Sequence, residues 1–214
     1  LLVRTISGLI YMTLILFAMY ADAKYYLLLT GCFGLLTLFE FQRLVQIKSL
    51  LPYAIFLMLF IGIHLDLLPQ WMDLVIGVLG VLMNTYLILS LLEFMSHQRL
   101  ERKYILMVFY IMIGVITMGL IPQIQGDFDL NLIAGVFILI WVNDSMAYLV
   151  GVNFGRHKLL ERISPKKTIE GTLGGVIGAL IAAGVMAQYF DRQSLELWLL
   201  LALLISVFGT LGDL

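Results

Sequence analysis

The sequence predicts an all-α, polytopic transmembrane helical bundle of about eight helices, and three observations support this prediction. Of the 214 residues, 62% are hydrophobic and only 13% are charged, whereas a soluble domain carries about a quarter charged residues. The mean hydropathy is +1.02. The apolar residues stand in continuous runs and do not alternate with polar ones, which favours helices over strands. We therefore expect an integral membrane protein without β-structure.

Eight segments are long and apolar enough to cross a membrane, for which a helix needs about 20 residues. Asp22 and Lys24 separate the first from the second, and the polar residues 42–48 close the second. Residues 64–73, which include Pro69, separate the third from the fourth. The predicted spans are therefore residues 5–21, 25–42, 50–68, 72–92, 104–123, 130–151, 168–190 and 195–214.

Polar links also separate the later spans. Residues 93–103 precede the fifth span, and the turn-rich residues 122–129 precede the sixth. Residues 152–167 link the sixth span to the seventh. Because no link is long enough for a soluble domain, we expect residues 1–214 to form a single integral-membrane domain.

The distribution of lysine and arginine predicts the orientation, since cytoplasmic loops are enriched in these residues. If the N-terminus is cytoplasmic, only Lys24 and Arg192 of the 13 lysines and arginines fall outside. The outer links then carry many of the carboxylates, among them Asp22, Asp66 and Asp127. In this orientation the link 152–167 faces the cytoplasm.

That link and the residues after it combine cations with a predicted helix start. Ser164-Pro165 is typical of a helix N-terminus, since a hydroxyl can cap and proline lacks an N–H that the first turn leaves unpaired. Thr168 offers a second cap one turn later. Free N–H groups and the positive end of a helix dipole bind phosphate readily. The predicted phosphate-binding residues are therefore Arg156, Lys158, Ser164, Lys166, Lys167 and Thr168.

The same cations have a second interpretation, as topology determinants that touch anionic lipid headgroups. For Arg156, Lys158 and Arg162 both interpretations stay open. For Lys166 and Lys167 the adjoining helix start favours phosphate binding.

Several other small and polar residues favour structural roles. One face of the seventh predicted helix carries a strip of small residues, formed by Gly171, Gly174, Gly175 and Gly178. Such strips let membrane helices approach closely, so we expect this face to pack on the sixth helix. Glu170 is expected to be structural, and Glu40 and Arg43, three residues apart at a helix end, are expected to pair.

Two carboxylates are candidate metal ligands. Asp144, flanked by Asn143 and Ser145, lies near the cytoplasmic end of the sixth predicted helix, and Asp213 lies at the same predicted membrane face. Carboxylates suit Mg²⁺, which takes one or two of them and leaves the rest of its shell to water and substrate phosphates. The alternative for Asp144 is an ion pair with a lysine of the next link.

Four stretches of the chain carry motifs. They read W-V-N-D-S-M-A-Y-L-V-G from Trp141, G-R-H-K-L from Gly155, I-S-P-K-K-T-I-E-G-T-L-G-G from Ile163 and G-T-L-G-D-L from Gly209. Together they resemble the phosphatidate cytidylyltransferases, also called CDP-diacylglycerol synthases. The run S-P-K-K-T-x-E-G is quite specific in a membrane protein, and the last stretch is similar to the start of the family's C-terminal signature.

This resemblance implies a multi-spanning enzyme of phospholipid biosynthesis, commonly a homodimer. Such an enzyme joins CTP to phosphatidic acid, giving CDP-diacylglycerol and pyrophosphate, with Mg²⁺ as cofactor. It implies catalytic roles for Lys167 and Asp213, with Asp144 and Asp213 binding the metal. We expect the protein in the cytoplasmic (inner) membrane of a bacterium, with its active site at the cytoplasmic face and without a nucleic-acid partner.

The chain departs from the family pattern at its end. The family's signature continues beyond Gly-Asp-Leu with further polar residues, whereas this sequence begins with Leu1 and ends at Leu214. We therefore expect a fragment that is inactive alone.

Two alternative functions stay open at this point. A membrane lipid or polyprenol kinase using CTP or ATP would need the same phosphate site, because charge and spacing do not identify a nucleotide base. A transporter would place polar residues near the middle of the bilayer. The polar residues here gather at one predicted membrane face, which favours an enzyme.

Overall fold

The computed structural model describes residues 2–92, 107–124, 126–161, 163–190 and 192–212. Helices dominate these residues, which form two compact units, Leu1–Phe128 and Asp129–Leu214. The first unit contains α1 to α5, whose bounds are Leu2–Ala21, Ala23–Val45, Leu51–His64, Trp71–Leu92 and Ile113–Leu120. A π-helical turn at Met107–Met112 leads into α5, and a 3₁₀ turn at Ile121–Gln123 follows it.

Short polar signals set the helix boundaries of the first unit. Asp22 caps α2, because its Oδ1 accepts a hydrogen bond from the Lys24 backbone N–H at 2.8 Å. The helix ends at Gln46, whose φ of 58° lies in the left-handed region. Pro52 occupies the first turn of α3, where a missing N–H costs no intrahelical hydrogen bond.

The core of the first unit lies between α2, α3, α4 and α5. Leu38 and Phe56 are fully buried there, together with Ile116 from α5. Gly34 makes this packing possible, since a Cβ at that position would lie 2.4 Å from the ring of Phe56. Close packing of this kind stabilises the association of membrane helices through van der Waals contacts.

The second unit contains three long helices and a small hairpin. Its helices are α6 (Leu130–Phe154), α7 (Ile169–Tyr189) and α8 (Leu195–Gly212). Strands β1 (Lys158–Leu160) and β2 (Ser164–Thr168) pair antiparallel between α6 and α7. Asp129 caps α6 through a hydrogen bond from the Leu132 backbone N–H, and its other carboxylate oxygen accepts from the Gln193 amide at 2.6 Å.

Glycines of α7 bring that helix directly against α6. A Cβ on Gly175 would lie 2.8 Å from Asn143 Oδ1 and 2.9 Å from the Asn143 carbonyl oxygen. A Cβ on Gly171 would lie 2.8 Å from the Ala147 carbonyl oxygen. No larger residue fits without separating the two helices, so the predicted packing role of the glycine strip is confirmed.

Helix length and composition confirm the membrane character of the fold. In the described part of the chain, four helices are long and apolar enough to span a bilayer: α2, α6, α7 and α8. Four shorter apolar helical segments accompany them, at Ile10–Ala21, Leu51–His64, Trp71–Leu87 and Phe109–Gln123. The count of eight spans and the cytoplasmic N-terminus stay predictions.

Two expectations about residues 158–168 were wrong. The expected absence of strands fails at the β1–β2 hairpin, and Ser164-Pro165 begins β2 where a helix start was expected. The helix begins at Ile169 with Thr168 as its cap, as the second predicted cap position required. The physical reason is pairing: Lys158 lies opposite Thr168 and Leu160 opposite Ser164, which holds the segment extended.

Candidate active site

A cleft of about 740 Å³ opens in the second unit where several helix ends and the hairpin meet. Its walls come from the C-terminal half of α6, the hairpin, the first turn of α7 and the last turn of α8. The lining of the cleft includes three lysines, three threonines, one carboxylate and four glycines. Its polar lining residues are Asn143, Asp144, Tyr148, Lys158, Lys166, Lys167, Thr168, Thr172 and Thr210.

Thr168 lines the cleft and forms the N-cap of α7. Its Oγ1 accepts a hydrogen bond from the Gly171 backbone N–H at 3.1 Å, so it caps α7. The Thr172 hydroxyl, one turn on, donates to the Thr168 carbonyl oxygen at 3.2 Å. The first turn of α7 therefore presents the positive end of a helix dipole to the cleft.

Three lysines approach the cleft from the hairpin. Lys158 comes from β1, and Lys166 and Lys167 come from the end of β2. Lys167 is half-buried, and its Nζ donates a hydrogen bond to the Thr210 carbonyl oxygen of α8 at 3.2 Å. This contact fixes the ammonium group between the hairpin and α8, while Lys158 and Lys166 remain exposed.

Glu170 ties the loop that precedes the hairpin to the start of α7. Its carboxylate accepts hydrogen bonds from the backbone N–H of Arg156 at 3.0 Å and from that of His157 at 3.2 Å. The His157 Nδ1 lies 2.6 Å from Glu170 Oε1, and the Ile169 N–H donates to the His157 carbonyl oxygen. These contacts close the loop at its base, which is the structural role expected for Glu170.

Asp144 is the carboxylate of the cleft. The buried Asn143, 4% exposed, donates from Nδ2 to Asp144 Oδ1 at 3.3 Å. Gly175 of α7 lies so close to Asn143 that a Cβ would not fit between them, so the packing of the two helices limits where that amide can lie. Among the described residues Asp144 forms no ion pair, and the alternative of a lysine partner is not realised there.

The donor set around Asp144 fits a metal ion that is shared with a substrate. Within the described ranges, no three His, Cys, Asp or Glu residues are grouped so that they could hold a metal ion, so a closed all-protein site is absent from them. Mg²⁺ does not require one, because it binds through one or two carboxylates and completes its shell with water and phosphate oxygens. Asp213, the second predicted ligand, lies outside the described residues.

The structure brings together most of the residues that the sequence singled out. Asp144, Lys158, Lys166, Lys167 and Thr168 all line the cleft. Two predicted phosphate ligands do not line it. The first is Ser164, whose backbone pairs with Leu160 at the far end of the hairpin, and the second is the exposed Arg156.

Two threonines of the cleft were not predicted as site residues. Thr172 follows Thr168 by four residues, a spacing that places both on one side of a helix and could have been used. Thr210 contributes its backbone carbonyl to Lys167, and a backbone contact leaves no signal in the residue type.

Comparisons with known proteins agree with the motifs in this cleft. Residues 2–214 match the profile of a family described as the cytidylyltransferase family. Over 87 residues the chain is 46% identical to a phosphatidate cytidylyltransferase from Staphylococcus haemolyticus (strain JCSC1435), an alignment that covers 40% of this chain and 33% of that protein. No solved structure matches the chain.

A second curated relative aligns over nearly the whole chain. This phosphatidate cytidylyltransferase, from Staphylococcus epidermidis (strain ATCC 35984), is 31% identical over 223 residues, which cover 99% of this chain and 82% of that protein. The first relative, by contrast, is matched over only about a third of its length.

Proposed function

The chain belongs to the cytidylyltransferase family, and from this premise we propose that the protein transfers a cytidylyl group from CTP to phosphatidic acid. The products are CDP-diacylglycerol, a precursor in phospholipid biosynthesis, and pyrophosphate. The curated relatives bear the name of this activity. The observation that carries the proposal is the cleft in which three lysines and a helix N-terminus share one cavity with a single described carboxylate.

In this proposal the cleft binds the triphosphate of CTP. Lys158, Lys166 and Lys167 contact phosphate oxygens, and the first turn of α7 offers its backbone N–H groups. Lys167 is held in advance by the Thr210 carbonyl oxygen, so little reorganisation is needed when the nucleotide arrives. Preorganised donors of this kind stabilise charge more effectively than mobile water does.

The transfer step joins the two substrates directly. A phosphate oxygen of phosphatidic acid attacks the α-phosphorus of CTP, forming a new P–O bond. The bond from the α-phosphorus to the oxygen that bridges to the β-phosphorus breaks, and pyrophosphate leaves with that electron pair. The lysines neutralise the charge on the departing group and hold the reacting atoms in line, which lowers the barrier through alignment and electrostatics.

We propose Asp144 as a ligand of Mg²⁺, with the Asn143 amide orienting its carboxylate. Asp213 is retained in this proposal as the second ligand. When bound there, the ion would supply positive charge to the phosphates of both substrates. The exposed position of Asp144 suits an ion that arrives together with the nucleotide.

The proposal extends to the arrangement in the membrane. We propose eight spans, a cytoplasmic N-terminus and a cleft that opens at the cytoplasmic face of a bacterial inner membrane, in a homodimer. Exposed apolar surface at the cleft supports a lipid substrate, since Val152 is 67% exposed and Tyr148, whose ring is apolar, is 68% exposed. The acyl chains of phosphatidic acid would lie against such residues while its phosphate reaches the lysines.

The position of the transferred label distinguishes cytidylyl transfer from a kinase reaction. The full-length protein in membranes receives phosphatidic acid, Mg²⁺ and CTP labelled on either the α- or the γ-phosphorus. We expect the α-label in the lipid extract and the γ-label in pyrophosphate. Label from the γ-phosphorus in the lipid would show a kinase, and no lipid label from a folded protein would overturn the proposed cytidylyl transfer.

A further inference from the structure

A second cavity lies in the first unit, at the turn between α2 and α3. Its volume is about 830 Å³, within the range of small-molecule sites in proteins. The residues that define it are Phe39, Arg43, Gln46, Lys48, Leu50 and Tyr53. The proposed cytidylyl transfer does not use this cavity.

The charge of this cavity is positive. Arg43 and Lys48 are exposed and line it, and no acidic residue is among its lining residues. Glu40 lies three residues before Arg43, but in the described part of the chain the expected ion pair between them does not form. Both cations are therefore open to an anionic ligand.

The remaining walls are largely apolar and exposed. Phe39 is 57% exposed and Leu50 84% exposed, and the ring of Tyr53 adds an amphipathic surface. A cationic rim beside apolar walls matches a molecule that carries a phosphate next to acyl chains. The turn lies at the end of α2, which is the cytoplasmic end in the proposed orientation, where anionic lipids are concentrated.

The backbone of the turn is held in a defined conformation. Gln46 adopts the left-handed conformation at the end of α2, a position that favours glycine. The buried Gln42 side chain fixes the turn by bonding both the Ser49 N–H at 3.1 Å and the Ser49 carbonyl oxygen at 2.9 Å. A left-handed residue is a common helix ending, so this conformation reverses the chain after α2, and Gln46 lines the cavity where glycine would contribute no side chain.

We propose that this cavity binds the headgroup of an anionic glycerophospholipid. Arg43 and Lys48 contact the phosphate, and the glycerol and the first part of the acyl chains lie along Phe39, Leu50 and Tyr53. The site is separate from the cytidylyl-transfer cleft, and it does not depend on that activity.

Native mass spectrometry of the full-length protein tests this site. The delipidated protein receives equal amounts of phosphatidylglycerol and phosphatidylcholine, neither of which is a proposed substrate. We expect retention of phosphatidylglycerol in roughly 30-fold excess, since each of the two cations contributes about 1 kcal/mol near an anionic headgroup. The double variant Arg43→Gln, Lys48→Gln should lower this excess several-fold, while anionic lipid held at the lysines of the cytidylyl-transfer cleft remains.

Two control variants keep the result interpretable. Lys24→Gln removes an exposed cation outside the cavity and should leave the preference unchanged. The charge-retaining variant Arg43→Lys, Lys48→Arg should also keep it. The proposal is overturned by an unchanged preference in the double glutamine variant, or by equal loss in either control. Displacement of the lipid by inorganic phosphate would instead reveal a site for free phosphate and overturn the lipid assignment.

Discussion

Asp144 is the residue on which the proposed metal dependence rests. It is the carboxylate among the described lining residues of the cleft, and the Asn143 amide holds it. Asp144→Asn keeps the shape of the side chain but removes its charge. We expect the cytidylyl-transfer rate to fall by about 100-fold or more, because a metal supplies several kcal/mol of charge stabilisation, and we expect the Mg²⁺ concentration for half-maximal activity to rise.

The adjacent Ser145 provides a matched control. It is exposed on the same helix and does not line the cleft, so Ser145→Ala should leave the Mg²⁺ titration unchanged. If Asp144→Asn gives the wild-type titration curve, Asp144 is not a metal ligand.

At the scale of single residues, the sequence was informative where the site residues are neighbours in the chain. Lys166, Lys167 and Thr168 are consecutive, so one local motif identifies all three. Ser164 belongs to the same motif but is not among the residues that line the cleft. Contacts between distant elements, such as that of Lys167 with the Thr210 carbonyl, depend on how the helices pack and cannot be derived from residue types.

Among the elements, the hairpin depends on Glu170 for its attachment to α7. Glu170→Gln weakens the hydrogen bonds to the Arg156 and His157 backbone N–H groups, since a charged acceptor binds more strongly than a neutral one. We expect a KM for CTP that is raised several-fold, because the hairpin carries the lysines, and faster tryptic cleavage between residues 158 and 167.

The exposed Glu161 lies in the turn of the same hairpin and offers the control for Glu170. Glu161→Gln removes one negative charge, as Glu170→Gln does, but leaves the hydrogen bonds of Glu170 to the Arg156 and His157 backbone N–H groups in place. Equal tryptic cleavage rates for the two variants would show that Glu170 does not hold the hairpin.

The interface between α6 and α7 tolerates no side chain at its glycines. Gly175→Ala would place a methyl group 2.8 Å from Asn143 Oδ1, and overpacking of this kind costs about 1–3 kcal/mol. A Cβ at Gly184, on the same helix, has nothing within 4 Å, so Gly184→Ala should be neutral or stabilising by up to about 1 kcal/mol. Thermal unfolding in detergent compares the two, and equal midpoints would contradict the close approach.

The hydropathy pattern predicted the long helices but did not predict the β1–β2 hairpin. Long apolar runs force helix formation in a membrane, because every backbone group must be paired. Residues 158–168 lie outside such runs, so their structure depends on local pairing. Ser164-Pro165 fits a helix start and also a strand start, since proline is tolerated at the beginning of a strand. Whether the segment forms a helix start or a strand start depends on its pairing with β1.

For the molecule as a whole, the predicted orientation in the membrane can be measured by labelling single introduced cysteines. Cys32 is the only cysteine, so Cys32→Ser gives a cysteine-free chain into which Lys24→Cys or Glu161→Cys can be introduced. We expect a membrane-impermeant maleimide to label position 24 in intact cells and position 161 only after permeabilisation. The opposite pattern would reverse the orientation.

The organisation of the whole chain was the least predictable from sequence. Hydropathy treats all spans alike and offers no signal for two compact units, Leu1–Phe128 and Asp129–Leu214. The described cleft lies entirely within the second unit, where the sequence motifs also fall. A motif indicates which chemistry a segment can support, and hydropathy indicates which segments form helices. Which helices pack together depends on side-chain contacts along the whole chain, and neither pattern gives those contacts.

The most direct test of the proposed activity is α-label transfer from CTP to phosphatidic acid by the full-length protein carrying Lys167→Ala. Loss of a charged hydrogen bond to a phosphate costs about 1.5–3 kcal/mol, so kcat/KM for CTP should fall by roughly 10- to 150-fold. Lys24→Ala removes a cation that does not line the cleft and should stay within about twofold of wild type. Wild-type transfer by Lys167→Ala would contradict the claim that this cleft binds and activates CTP.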